Sequence, residues 1–130
     1  MTLTPTRATP PPAILVADDD DVVRGSVSEI LRHEGYAVTE TDDGDAALHL
    51  LGRDRFDVLV LDNQLLRLDG IAGLASVENP PPAVLMSGID LDPGGRKDLA
   101  VRGIAYLRKP VEPEHLLDAV ATAMGRARHS

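Results

Sequence analysis

The sequence predicts an open α/β domain in which five parallel strands form one sheet with helices on both faces. Two features of the chain carry this. From Ala13 onward five short β-rich runs alternate with longer stretches of helical period, the pattern of parallel strands joined by crossover helices. Three of those runs are nearly continuous in apolar residues, as strands must be when helices cover both of their faces. The length, 130 residues, suits one domain on the expectation of roughly 100–200 residues each.

Met1 to Pro12 is rich in Thr and Pro and has little to bury, so it is expected to be a disordered arm. The first strand is placed at Ala13–Ala17 (AILVA). Val23, Val27, Ile30 and Leu31 then recur at helical spacing, with Gly35 as the stop. A second strand is expected over Tyr36–Thr41, followed by a short helix through Ala47, Leu50 and Leu51 that Gly52 closes. The third strand is read at Asp57–Leu61. After it, a weaker helix over Ile71–Val77 runs into Asn79-Pro80-Pro81-Pro82. Ala83–Ser87 is the fourth strand, and the breaker sequence Asp92-Pro93-Gly94-Gly95 leaves room for a short helix at about Arg96 to Val101. Ile104–Leu107 is the fifth strand. A final helix begins after Pro113, a residue suited to a first turn, and carries Leu116, Leu117, Val120, Ala121 and Met124. The folded unit is thus expected over residues 13–125, with residues 126–130 as a tail.

Composition narrows the function. Phe56, Tyr36 and Tyr106 are the only aromatic residues, so the core must be built from Val, Leu, Ile and Ala. A net charge of −8 repels a long anionic polymer, which disfavours nucleic acid as a direct partner. Cysteine is absent, so neither disulfides nor thiolate chemistry is available, and any metal must be bound by oxygen or His. His33, His49, His115 and His129 show no metal spacing. No apolar run serves as a signal peptide core or spans a bilayer, and a cytoplasmic location is the default expectation.

In open α/β sheets the ligand sits beyond the carboxyl ends of the strands, where strand order reverses. Asp18 and Asp19 follow the first strand, Asp62 follows the third, Ser87 ends the fourth and Lys109 follows the fifth. If the strand order is 2-1-3-4-5, these five side chains converge. Clustered carboxylates repel, and neutral pH then demands a cation or raised pKa values. Magnesium suits the demand, since it favours octahedral oxygen coordination and takes one or two carboxylates with a phosphate oxygen. Three carboxylates, a lysine and a hydroxyl fit phosphoryl transfer to an aspartate nucleophile. Metal and ammonium would neutralise charge on the transferring oxygens while the Ser87 hydroxyl donates to one of them.

Plainer readings compete. Asp20 and Asp21 are assigned to capping the first helix, whose dipole they complement, while Asp18 and Asp19 are assigned to the chemistry. Ser87-Gly88 alone would be a turn, and Lys109 before Pro110 alone would be a surface lysine. The absence of a Gly-rich loop after the first strand disfavours a nucleotide site.

Four pieces in order, ILVADDDD, VLVLD with Leu68-Asp69-Gly70, VLMSG and YLRKP, closely resemble the response-regulator receiver domain of two-component signalling, over about Ala13 to Met124. The resemblance implies a flavodoxin-like receiver like those of chemotaxis, with strand order 2-1-3-4-5. It also implies that Asp62 is the phosphoacceptor and that Asp19, Asp62 and the backbone carbonyl of Gln64 ligate Mg2+, with Asp18 supporting the metal. Lys109 would contact the phosphoryl group, Ser87 would move toward it, and Tyr106 would turn inward on activation. The Lys109-Pro110 bond is expected to be cis.

Two departures stand out. Leu65-Leu66 replaces the family's usual Met-Pro, which predicts a less rigid loop around Gln64, and Asp90–Gly95 is longer than usual. The donor would be a sensor histidine kinase or histidine phosphotransfer protein. Gly125 to Ser130 are too few for an output domain, so a single-domain regulator that signals to a downstream protein is expected. It would be a switch and not an enzyme beyond its own phosphorylation and dephosphorylation. A phosphatase of the haloacid-dehalogenase type would need a second Asp where Gln64 stands, and a receiver-like module that is never phosphorylated is the other rival.

Overall fold

The structure, a computed structural model, describes residues 10–63, 65, 80–89, 92–101 and 103–125. Its elements run β1 (Ala13–Ala17), α1 (Asp21–His33), β2 (Ala37–Thr41), α2 (Gly44–Arg53), β3 (Val58–Asp62), β4 (Ala83–Ser87), α3 (Pro93–Val101), β5 (Ile104–Arg108) and α4 (Pro113–Ala123). The expected helix at Ile71–Val77, the Leu68-Asp69-Gly70 piece and the tail from residue 126 lie outside the described residues. Most of the Met1 to Pro12 arm does too.

The strands pair in the order β2-β1-β3-β4-β5, and every neighbouring pair is parallel. The predicted fold class and strand order are therefore both observed. Side chains alternate across a strand, so the apolar runs of β1, β3 and β4 feed two cores at once. On one face Ile14, Val16, Val58, Val60, Val84 and Met86 pack against Val27 and Leu31 of α1 and Leu116 and Val120 of α4. On the other, Leu15, Leu59, Leu61 and Leu85 meet Ala47 and Leu51 of α2 and Leu99 of α3. The three central strands are covered on both sides, which fixes their register because a one-residue slip would exchange the two cores.

The sequence reading is corrected at several ends. The third strand runs Val58–Asp62, not Asp57–Leu61. Asp57 instead anchors the start of β1, its carboxylate accepting from the Ala13 N–H at 2.7 Å and its own N–H donating to the Ala13 carbonyl at 2.7 Å. Gly52 does not close α2, which continues to Arg53 with Asp54 as its cap. The helix expected from about Arg96 begins at Pro93, because the Asp92 carboxylate accepts from the Gly95 N–H at 2.6 Å and proline fits a first helical turn. Tyr36 lies just before β2 and packs on the core, while β5 extends to Arg108. Gly35 ends α1 as expected, with φ at 102°, a conformation a side chain rarely tolerates. Among the described residues no helix is long and apolar enough to cross a membrane.

Ser28 is wholly buried on α1, and among the described residues its hydroxyl has no hydrogen-bond partner. A buried unsatisfied hydroxyl costs about 1–3 kcal/mol, and alanine is also the better helix former. Ser28→Ala should therefore raise the free energy of unfolding by about 1 kcal/mol in urea denaturation. A loss of stability would mean that the hydroxyl is satisfied.

Candidate functional site

The chain leaves β1 toward β2 on one side and enters β3 on the other, so the carboxyl ends of β1 and β3 border a crevice. Asp18 follows β1 directly, Asp62 is the last residue of β3, Ser87 the last of β4, and Lys109 the first residue after β5. Parallel register brings these ends level: Asp62 stands beside Met86, and Ser87 beside Arg108. The Lys109 N–H donates to the Ser87 carbonyl at 2.7 Å, and the Lys109-Pro110 bond is cis, as expected.

The side chains do meet. Asp18, Asp19 and Asp62 each offer a carboxylate oxygen within 4.8 Å of the others. The Lys109 ammonium donates to Asp62 Oδ1 at 2.7 Å and to Asp18 Oδ2 at 3.1 Å. Asp18 is fully buried and Asp62 nearly so, whereas Asp19 faces solvent. Burial alone would lower the Lys109 pKa, but hydrogen bonds to Asp62 and then Asp18 outweigh it and hold the ammonium above its ordinary range. Burial pushes the Asp18 carboxyl above its usual range, and the nearby Asp62 charge adds to this. The Asp20 N–H and Lys109 only partly oppose it.

One ammonium cannot neutralise three carboxylates, two of them shielded from water. The donor set is all oxygen, part buried and part open, and carries excess negative charge. That fits a hard divalent cation which keeps some of its waters. Gln64, whose carbonyl is the remaining expected ligand, lies outside the described residues. Its neighbours are held: the Asn63 N–H donates to the Met86 carbonyl at 2.7 Å and the Leu65 N–H to the Asp62 carbonyl at 3.1 Å.

Ser87 is buried and its Oγ accepts from the Ile89 N–H at 3.2 Å, which leaves its own O–H to donate. The Tyr106 hydroxyl donates to the Ile89 carbonyl. One peptide unit on each side of Ile89 thus links the hydroxyl in the crevice to the tyrosine on β5.

Three residues near the site carry no signal that sequence reading could have used. Ile89 acts through its backbone. Gly44 opens α2, where a Cβ would meet the Leu65 carbonyl oxygen at 3.0 Å, so glycine lets the helix lie against the segment that follows Asp62. Arg24 donates from Nη1 to the Asp18 carbonyl at 2.8 Å. Asp20 and Asp21 do what was expected, Asp20 accepting from Val22 and Val23 at the start of α1 and Asp21 sitting in its first turn.

The family model of the response regulator receiver domain matches residues 14–121. Among curated proteins the chain is 35% identical over 118 residues to the response regulator MprA of Mycobacterium leprae, covering 88% of this chain and 52% of that one. It is 29% identical to the transcriptional regulatory protein PdtaR of Mycobacterium tuberculosis, covering 91% of this chain and 59% of that one. The chain thus spans about half the length of the curated relatives it matches. Among solved structures, the receiver domain of the Francisella response regulator 1452 aligns with a TM-score of 0.76 at 29% identity, covering 90% of this chain and 99% of that one. A response regulator from Burkholderia pseudomallei, with a phosphorylated aspartic acid, calcium ion and citrate, aligns at 0.71 and 26% identity, covering 88% and 69%.

Burial of Asp18 has a pH signature. The folded protein holds the Asp18 proton more tightly than the unfolded chain does, so its stability falls as pH rises from the ordinary value of 3.8 through the raised one. Asp18→Asn lacks this term. In metal-free buffer, wild type should lose stability relative to Asp18→Asn across that window, and magnesium should shrink the difference at neutral pH. Urea denaturation at a series of pH values measures it; a pH-independent difference would show that the carboxyl is not so burdened.

Proposed function

The chain belongs to the response regulator receiver family, and from that premise we propose a phosphorylation switch in which Asp62 is the phosphoacceptor. The observation that carries this is the Asp62 carboxylate itself, nearly buried at the end of β3, 2.7 Å from the Lys109 ammonium and beside two further carboxylates. An aspartate so buried is largely shielded from water. The phosphorylated aspartic acid and calcium ion of the Burkholderia pseudomallei regulator support the same reading.

The donor would be the phosphohistidine of a sensor histidine kinase or a histidine phosphotransfer protein. An Asp62 oxygen forms a bond to phosphorus as the donor N–P bond breaks, and the imidazole nitrogen leaves with the electron pair and takes up a proton from solvent. Asp18, Asp19 and Asp62, with the Gln64 carbonyl, would hold Mg2+. When bound, the ion neutralises charge on the transferring phosphoryl oxygens. Lys109 is kept protonated by its two carboxylates, so a cation already waits where negative charge arrives. The receiver unit is proposed over residues 13–125, with its state read by a downstream protein.

Transmission would start at Ser87. A phosphoryl oxygen on Asp62 offers an acceptor to the Ser87 O–H. Any movement of Ser87 toward it alters the bond to the Ile89 N–H and so the Ile89 carbonyl on which Tyr106 rests. Ser87 and Tyr106 are the two residues whose positions this mechanism couples.

Asp62→Asn keeps the shape of the side chain and deletes its nucleophilic charge. After incubation with acetyl phosphate and magnesium, mass spectrometry should find one added phosphoryl group on wild type and none on the folded variant. Addition to the variant would remove Asp62 from its role, and a wild type that stays unmodified would leave a receiver-like interaction module.

Beryllofluoride, which stands in for the phosphoryl group, should shift the amide resonances of Gly88, Ile89 and Tyr106 as well as those beside Asp62. Ser87→Ala should still bind it but show a smaller response at Ile89 and Tyr106. An unchanged Tyr106 response in that variant would show that the signal leaves the site by another route.

A further inference from the structure

Arg24 lies on the first turns of α1, six residues from Asp18, and its guanidinium touches three different parts of the protein. Nη1 donates to the Asp18 carbonyl at 2.8 Å, Nη2 to Asp21 Oδ1 at 2.6 Å, and Nε lies 3.4 Å from Glu40 Oε1 on β2. Glu40 is itself gripped from the other side by Arg32 of α1, at 3.0 Å. The Arg24 side chain is only 18% exposed, so this fork is packed and not a solvated surface contact.

The carbonyl that Arg24 binds belongs to the peptide joining Asp18 to Asp19, the two acids whose relative direction decides whether a cation can sit between them and Asp62. Asp18 is otherwise fixed: its N–H donates to the Thr41 carbonyl at 3.1 Å, and its carboxylate binds the Asp20 N–H and Lys109. Among the described residues no hydrogen bond holds the exposed Asp19 carboxylate. Its aim therefore depends on the backbone at its two sides, the Asp18–Asp19 peptide that Arg24 binds and the Asp19–Asp20 peptide whose N–H the Asp18 carboxylate holds. We infer that Arg24 is a positioning residue for the carboxylate pair, orienting the Asp18–Asp19 peptide and being held in turn by Glu40. This rests on the cation-assisted reading of the site given above.

The charge of Arg24 and its geometry act in opposite directions. A fixed cation near a metal site repels the incoming ion, so by Coulomb's law alone removing Arg24 would tighten magnesium binding. If Arg24 positions the acids, its removal loosens binding, and outer partners of metal ligands typically govern affinity by about 10–100-fold. Lysine keeps the charge and loses the fork, since one ammonium cannot span all three contacts.

The test is a magnesium titration of the whole chain, followed by calorimetry and by amide resonances, with thermal melts to confirm that each variant is folded. Arg24→Lys and Arg24→Ala should both weaken binding by about tenfold or more. In the metal-free state both should move the Asp19 and Asp20 amide resonances and leave those of β4 and β5 in place. Glu40→Gln, which leaves Asp18 untouched, should weaken binding less and add little to Arg24→Ala, because it acts through the same side chain. Tighter binding in Arg24→Ala, or full affinity and unmoved Asp19 resonances in Arg24→Lys, overturns the inference while the functional reading stands. A wild type that binds no magnesium overturns both.

Discussion

The carboxylates of Asp18, Asp19 and Asp62 repel one another, yet the protein holds them within 4.8 Å at the end of an apolar sheet. Nothing about that cluster favours folding. It is imposed by β1 and β3, whose side chains are buried on both faces at positions 14–17 and 58–62 and hold the strand ends together. Lys109 relieves part of the repulsion by donating to Asp18 and Asp62 together. Burial chiefly, with the nearby Asp62 charge added to it, leaves an Asp18 carboxyl that ionises less readily than usual. Excess negative charge held at one place is what would let such a site attract a divalent cation.

Around this charge the protein builds a shell of main-chain contacts. The Asp18 N–H is tied to Thr41, its carbonyl to Arg24 and its carboxylate to the Asp20 N–H, while Asn63 and Leu65 tie the segment after β3 to β4 and to Asp62. These bonds fix the backbone on which the acids are mounted. They also connect the site outward: to β2 through Arg24 and Glu40, and to β5 through Ile89 and Tyr106. In the proposed switch, a change of charge at Asp62 would be carried along these hydrogen bonds toward a distant surface.

The chain spans about half the length of the curated relatives it matches, and the receiver family accounts for residues 14–121 of it. The acidic crevice touches two helices directly, through Arg24 of α1 on the Asp18 carbonyl and Gly44 of α2 against the Leu65 carbonyl.

Much of this was legible in the sequence, because apolar runs flanked by turn residues reveal parallel strands, and the residue after each strand falls where ligands bind. The strands, their alternation with helices, and Asp18, Asp19, Asp62, Ser87 and Lys109 were all readable as residue types in positions. Element ends were less so: Asp57 and Gly52 were misplaced because a cap or a cross-strand bond, not composition, decides where an element stops. The tertiary structure alone decided that Lys109 bridges two carboxylates, that Gly44 gives room to the Leu65 carbonyl, that Arg24 reaches the Asp18 carbonyl, and that the Ile89 N–H bonds Ser87. A sequence reports side-chain chemistry and its period along the chain, whereas a contact to a carbonyl or an N–H depends on where folding carries a group that every residue has.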